Sequence, residues 1–189
     1  MNDLLQGAHH VCDPLSAAGL PHCIIGGLAN FRWGRQRFTR DVDLTVYTGF
    51  GVDEERTIDL LLQRCRPRRP DAADFARMHR VLLLETDNGI GIDVSLGGLP
   101  YERGLVDRAT SFDFGDGRPL PTCSAEDLIV LKAFADRPQD WVDIDGVVMR
   151  QGADLRWSAV FERIAPLAEL KDEPRIVERL RAIRDAGRA

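Results

Sequence analysis

Lysine is almost missing from this chain: of its 25 cationic side chains only Lys132 and Lys171 are not arginine. Long hydrophobic runs are missing too. No stretch of eighteen apolar residues exists, so nothing reads as a membrane-spanning helix. The opening MNDLLQGAHH has neither the basic nor the apolar segment of a secretory signal. Cysteine is scarce and scattered. Cys12, Cys23, Cys65 and Cys123 form no C-x-x-C pair, which argues against a zinc site or a disulfide framework and for reduced thiols in a cytoplasm. The histidines supply no metal set: His9 and His10 read as solvent-facing, and His22 and His79 have no evident partner. A net charge of −5 argues against a protein that coats nucleic acid over its whole surface.

What remains is a chain of 189 residues, 44% hydrophobic, enough for one compact domain or a core with a small appendage. An apolar stripe of Leu4, Leu5, Ala8, Val11, Cys12 and Leu15 predicts a helix over residues 2–19, bent or shortened at Pro14. HCII is a short buried strand that runs into Gly26-Gly27, LANFRW has helical spacing, and DVDLTVY alternates as a strand. A helix follows over 53–65. RVLLLET and IGIDVSL flank Asp87-Asn88-Gly89 as a hairpin, YERGLVDRA is a short helix, and a second hairpin turns at Gly115-Asp116-Gly117. From Ser124 the pattern is helical only. A capping box over Ser124–Asp127 opens LIVLKAFA, with further helices near 139–150, 154–169 and 173–186. The segment RCRPRRPDAADFAR has no assigned element.

The chemistry gathers around IIGGLANFRWGRQRFTRDVDLTV, residues 24–46. Asp41 and Asp43, at i and i+2 on one strand, project to the same face about 7 Å apart at Cα. Carboxylates held that close favour a shared cation, and hard oxygen donors suit Mg²⁺ or Mn²⁺. Asp93 is a lone acid in an apolar strand, where an unpaired charge is costly. Gly26-Gly27 at a strand-to-helix turn allows backbone N–H groups to approach a phosphate. Arg32, Arg35, Arg37 and Arg40 form one basic block, and residues 64–80 carry another, both suited to phosphates. Phe31 and Trp33 fit either base stacking or core packing.

In that order, Ile25-Gly26-Gly27, a spacer to Arg40, Asp41-Val42-Asp43 and then Ile92-Asp93-Val94, the chain resembles the DNA polymerase β-type nucleotidyltransferase superfamily over roughly residues 20–96. Ser124, Glu126, Asp127, Lys132, Ala135, Arg137, Asp140 and Asp143 extend the resemblance, to AbiEii-like proteins, which include the MenT-type toxins of bacterial toxin–antitoxin pairs. The spacer after Gly27 and the segment between Asp43 and Asp93 are long for the pattern. The resemblance implies an α+β fold: a polymerase β-like nucleotidyltransferase core over residues 1–121, a mixed sheet flanked by helices, then a C-terminal helical bundle over 122–189.

It also implies roles. Asp41, Asp43 and Asp93 would be catalytic metal ligands, with Mg²⁺ or Mn²⁺ as cofactor and an NTP as co-substrate, and Asp93 would help activate the acceptor hydroxyl. Gly26, Gly27, Arg37, Arg40 and Lys132 would hold phosphates. Arg137 and Asp143 read as supporting or structural, Asp140 as surface. The implied reaction is transfer of NMP to the 3′ end of tRNA, blocking aminoacylation, with the arginine blocks on the acceptor backbone. A small-molecule, antibiotic-type nucleotidyltransferase and a non-catalytic partner-binding module are the alternatives. The implied partners are the tRNA acceptor end and a cognate antitoxin, one kind being a kinase that phosphorylates Thr39. Equally, Thr39 fits an ordinary turn residue.

Overall fold

The computed structural model describes residues 1–187. The chain divides into two compact units, residues 1–28 with 38–123, and residues 29–37 with the chain from Ser124 onward.

The first unit is built on a seven-stranded mixed sheet. In chain order its strands are β1 (His22–Ile24), β2 (Asp41–Tyr47), β3 (Arg66–Pro67), β4 (Val81–Glu85), β5 (Gly91–Gly97), β6 (Thr110–Phe112) and β7 (Leu120–Thr122), arranged β3-β4-β5-β2-β1-β7-β6. β2 lies between antiparallel β1 and parallel β5. Alternation assigns the faces: Val42, Leu44, Val46, Ile92, Val94, Leu96, Leu82 and Leu84 are buried, while Asp43, Asp93 and Leu83 share the other, partly open face. Helix α1 (Asn2–Ala17) buries its predicted stripe and runs through Pro14 without ending there. It stops at Gly19, which takes φ 68. Helix α2 (Gly26–Trp33) follows β1, α3 (Val52–Leu62) follows β2, and α5 (Pro100–Asp107) follows β5. The unassigned arginine-rich segment is structured: it supplies edge strand β3 and helix α4 (Ala72–His79), which packs on β4. His9 is buried and hydrogen-bonds Asp116 at 2.9 Å, correcting its reading as solvent-facing. The four cysteines are buried, and none is joined in a disulfide.

The second unit is helical: α6 (Ala125–Ala135), α7 (Pro138–Gln151), a 3-10 turn at Gly152–Asp154, α8 (Trp157–Leu170) and α9 (Arg175–Ala186). Ser124 caps α6, its Oγ accepting the Asp127 N–H at 3.1 Å. α6 is buried around most of its circumference because α7 and α8 both pack on it. It therefore carries charges inside, and each is met. Glu126 pairs with Arg156, Asp127 with Arg163, and Lys132 Nζ donates to Asp140 at 3.2 Å and Asp143 at 2.6 Å. Arg37 forks onto Asp143 and Arg137 onto Asp140. Asp140 is thus buried at 2% exposure, not a surface residue. No helix among the described residues is long and apolar enough to cross a membrane.

Burial pushes the Asp143 carboxyl up, but hydrogen bonds from Arg37 and Lys132 and the Lys132 charge outweigh it and hold it below the ordinary 3.8. Asp140 is held down in the same way, against burial, by Arg137 and Lys132. Both carboxylates therefore stabilise the folded state above pH 3.8, and that contribution is lost as pH falls through their lowered values. Urea unfolding at pH 7 and pH 3 should show that loss, and Asp143→Asn should flatten the dependence. Lys132→Met, which leaves two buried carboxylates short of a cation, should lower unfolding free energy by about 3–5 kcal/mol.

Candidate active site

The Gly-Gly turn and the two aspartates touch. β1 pairs antiparallel with β2, Ile24 opposite Leu44, and the Ile25 N–H donates to the Asp43 carbonyl at 2.9 Å. The chain then turns at Gly26, with φ 58, into α2. There the Gly27 N–H donates to Asp43 Oδ2 at 3.3 Å. A methyl group on Gly26 would collide with the Asp43 carboxylate, so glycine is required for both its backbone angle and its missing side chain. Gly27 is close-packed as well. A methyl there would lie 2.5 Å from Thr39 Oγ1, which itself donates to the Asp41 carbonyl at 3.3 Å.

The third carboxylate arrives through the parallel register. β2 and β5 align Asp41 with Gly91 and Asp43 with Asp93, so all three acids lie at adjacent positions on one sheet face. Gly91 has a reason in this pairing: any side chain there would strike Asp41 Oδ1, which leans over it. Asp41 is exposed, Asp43 and Asp93 half-buried.

The three side chains are held apart by different partners. Asp43 faces the Gly27 N–H, Asp41 leans over Gly91, and Asp93 takes an ion pair from Arg68. Among the described residues no three such groups close around one point. The donor set nonetheless fits a hard divalent cation: three carboxylates on neighbouring strand positions, one face, with a glycine leaving room between them.

The remaining predicted residues divide between the units. Arg40 belongs to the first and lies beside Phe38, its guanidinium 5.8 Å from the ring centroid. Phe38 is 80% exposed. Arg37 and Lys132 belong to the second unit, where both serve Asp143. Phe31 and Trp33 also fall in the second unit and are half-buried, their carbonyls accepting from Arg150 and Gln151. Most arginines of the 64–80 segment are neutralised by acids of the same unit. Arg66 pairs with Glu85, Arg69 with Asp71, Arg77 with Glu55 and Asp74, and Arg80 with Glu54. Sequence reasoning saw this block only as a bulk positive charge and so missed Arg68 individually. No spacing in RCRPRRP singles Arg68 out; its place follows only from the pairing of β3 with β4 and the Arg68 N–H bond to the Leu83 carbonyl.

No protein-family model and no curated protein matches the sequence. Solved structures do. The crystal structure of ANT(2″)-Ia in complex with adenylyl-2″-tobramycin is similar over 90% of this chain and 99% of that one, with TM-score 0.56 and 18% identity. The solution structure of the antibiotic-resistance factor ANT(2″)-Ia covers 87% and 90%, with TM-score 0.51 and 19% identity. The lincomycin-bound lincosamide antibiotic adenylyltransferase LnuA covers 73% and 92%, with TM-score 0.48 and 14% identity. The ANT(2″)-Ia structures show the fold: a mixed sheet flanked by helices plus a helical bundle, the polymerase β-like nucleotidyltransferase architecture.

Two glycine variants separate geometry from folding. Gly26→Ala meets both a positive φ and the Asp43 carboxylate, and should lower the melting temperature measurably, with a cost of about 1–3 kcal/mol. Gly91→Ala collides only with the Asp41 side chain, with Arg68 Nη1 at ordinary contact distance, and its strand backbone is unstrained. It should melt near the wild-type temperature while any activity that needs Asp41 falls, on the order of a hundredfold.

Proposed function

We propose that the chain is a metal-dependent nucleotidyltransferase that transfers NMP from an NTP to a hydroxyl of a small polar acceptor, releasing pyrophosphate. One observation carries this reading: the register that sets Asp93 beside Asp43, with the Gly26-Gly27 turn against Asp43 and Gly91 opened for Asp41. Asp41, Asp43 and Asp93 would hold Mg²⁺ or Mn²⁺, which when bound supplies charge neutralisation for the triphosphate and its leaving group. The Gly26-Gly27 turn and Arg40 would position the phosphates. The acceptor oxygen attacks the α-phosphorus in line, the bond to the β-phosphate oxygen breaks, and the hydroxyl proton passes to the Asp93 carboxylate. Alignment and electrostatics carry the rate.

The choice of a small acceptor rests on charge. The arginines of residues 64–80 that would track a polynucleotide backbone are paired with Glu85, Asp71, Glu55, Asp74 and Glu54. A long polyanion would have to break those pairs. Adenylyl-2″-tobramycin, bound to ANT(2″)-Ia, is a product of the expected kind: a nucleotide joined to a small acceptor. The 3′ end of tRNA is the second reading, favoured by exposed Phe38 with Arg40 beside its ring just ahead of Asp41, an arrangement on which a base can stack. That reading would bring a cognate antitoxin with it. A phosphate on Thr39, whose hydroxyl lies against Gly27 and the Asp41 backbone, would add about two negative charges beside the carboxylates and silence the enzyme.

The test offers purified protein, Mg²⁺ and each α-labelled NTP in turn to a panel of aminoglycosides and lincosamides and, separately, to tRNA. Label on a small acceptor, lost with Asp41→Ala, is the expected result. Label on tRNA alone would overturn the small-acceptor reading, and no label on any acceptor, with no binding of Mg²⁺–NTP, would overturn catalysis. Stoichiometric phosphorylation of Thr39 should reduce transfer to the level of Asp41→Ala in the same assay.

A further inference from the structure

The arginine that reaches Asp93 comes from the segment whose sequence gave no element. β3 pairs antiparallel with β4, Arg66 opposite Glu85 and Pro67 opposite Leu84, and the Arg68 N–H continues the ladder to the Leu83 carbonyl at 3.0 Å. Arg66 and Arg68 therefore share a face. Arg66 finds an acid directly across at Glu85, whereas Arg68 faces Leu83, which has no charge. Arg68 reaches one strand further. Leu83 is the register partner of Asp93, so the Arg68 side chain crosses β4 and closes on Asp93 of β5, a span of about two strand spacings, near 10 Å. Its second terminal nitrogen, Nη1, lies 3.5 Å from where a Gly91 side chain would begin, the place over which Asp41 leans. The Arg68 side chain thus sits on the open face of the site, 32% exposed against 38% for that of Asp93.

Three carboxylates at adjacent positions repel one another, and a cation must balance them whether or not a metal is bound. We propose that Arg68 is an exchangeable counter-ion of this site. It pairs with Asp93 in the metal-free protein, yields Asp93 to an entering divalent cation, and is then free to engage a phosphate of the nucleotide. The proposal rests on the metal-binding reading of Asp41, Asp43 and Asp93. Its balance is electrostatic only: one ion pair, Arg68–Asp93, is exchanged for carboxylate–cation and guanidinium–phosphate contacts, with no bond made or broken. The arginine fork suits both partners, since carboxylate and phosphate present the same pair of acceptor oxygens. Placement at the end of edge strand β3 lets the side chain swing without disturbing the sheet, because the backbone is held separately by the N–H bond to the Leu83 carbonyl.

The experiment measures binding and not turnover. Mn²⁺ is titrated into metal-free wild type, Arg68→Gln, Arg68→Lys and Asp43→Asn, followed by electron paramagnetic resonance and by thermal melting. ATP is then titrated in saturating Mn²⁺. Arg68→Gln should bind Mn²⁺ about 1.5- to fivefold more tightly than wild type, the range spanned by one half-exposed ion pair. It should melt lower without metal, gain more on Mn²⁺ addition, and bind ATP more weakly. Arg68→Lys should fall between. Equal Mn²⁺ affinity in wild type and Arg68→Gln, with binding abolished in Asp43→Asn, would overturn the Arg68 proposal and leave the metal site standing. If neither wild type nor Arg68→Gln binds Mn²⁺, the metal reading fails and the proposal with it. Binding by Arg68→Gln alone supports both.

Discussion

The site depends on electrostatic repulsion held in register. Parallel pairing of β2 with β5 sets Asp43 beside Asp93 and Asp41 beside Gly91, a concentration of negative charge that the sheet would not hold without compensation. Each neighbour answers it. The Gly27 N–H turns toward Asp43, Gly91 gives Asp41 somewhere to lean, and Arg68 crosses a strand to reach Asp93. Glycine matters here as absent volume. At Gly26 and Gly91 the aspartate side chains occupy the space where a Cβ would have been.

The second unit handles buried charge by the opposite means. Two of its acids are buried and paired on each side: Asp140 and Asp143 share Lys132, with Arg137 and Arg37 completing them. A buried pair of this kind adds little net stability over a hydrophobic replacement, yet losing one member is costly, so it specifies the packing of α6 and α7 more than it strengthens it. In the first unit Asp41 is exposed and Asp43 and Asp93 are half-buried, and the Arg68 partner of Asp93 is itself partly open to solvent. Sealed charge suits structure, and open charge suits ligand exchange.

Much of this was legible in the sequence. Alternation in DVDLTVY and IGIDVSL fixed which residues face together, the Gly-Gly turn announced itself, and the Ser124 cap marked the start of the helical unit. The hairpin around Asn88-Gly89 followed from its turn residues. What escaped depended on tertiary pairing. RCRPRRP reads as charge and proline, and only the edge of β4 makes Arg66-Pro67 a strand and sends Arg68 to Asp93. His9 and Asp140 look polar and peripheral until Asp116 and Lys132 are known to meet them. The rare lysine at 132 did signal an unusual position. Its surroundings, two buried carboxylates, lie on another helix that no spacing rule connects to it.

The most direct measurement of the central claim is anomalous scattering from crystals grown with Mn²⁺ and a non-transferable NTP analogue. A Mn²⁺ peak bounded by Asp41, Asp43 and Asp93, with Arg68 withdrawn from Asp93 and turned to a phosphate, is the expected result. A nucleotide bound elsewhere, or a metal that bypasses those three carboxylates, would contradict it.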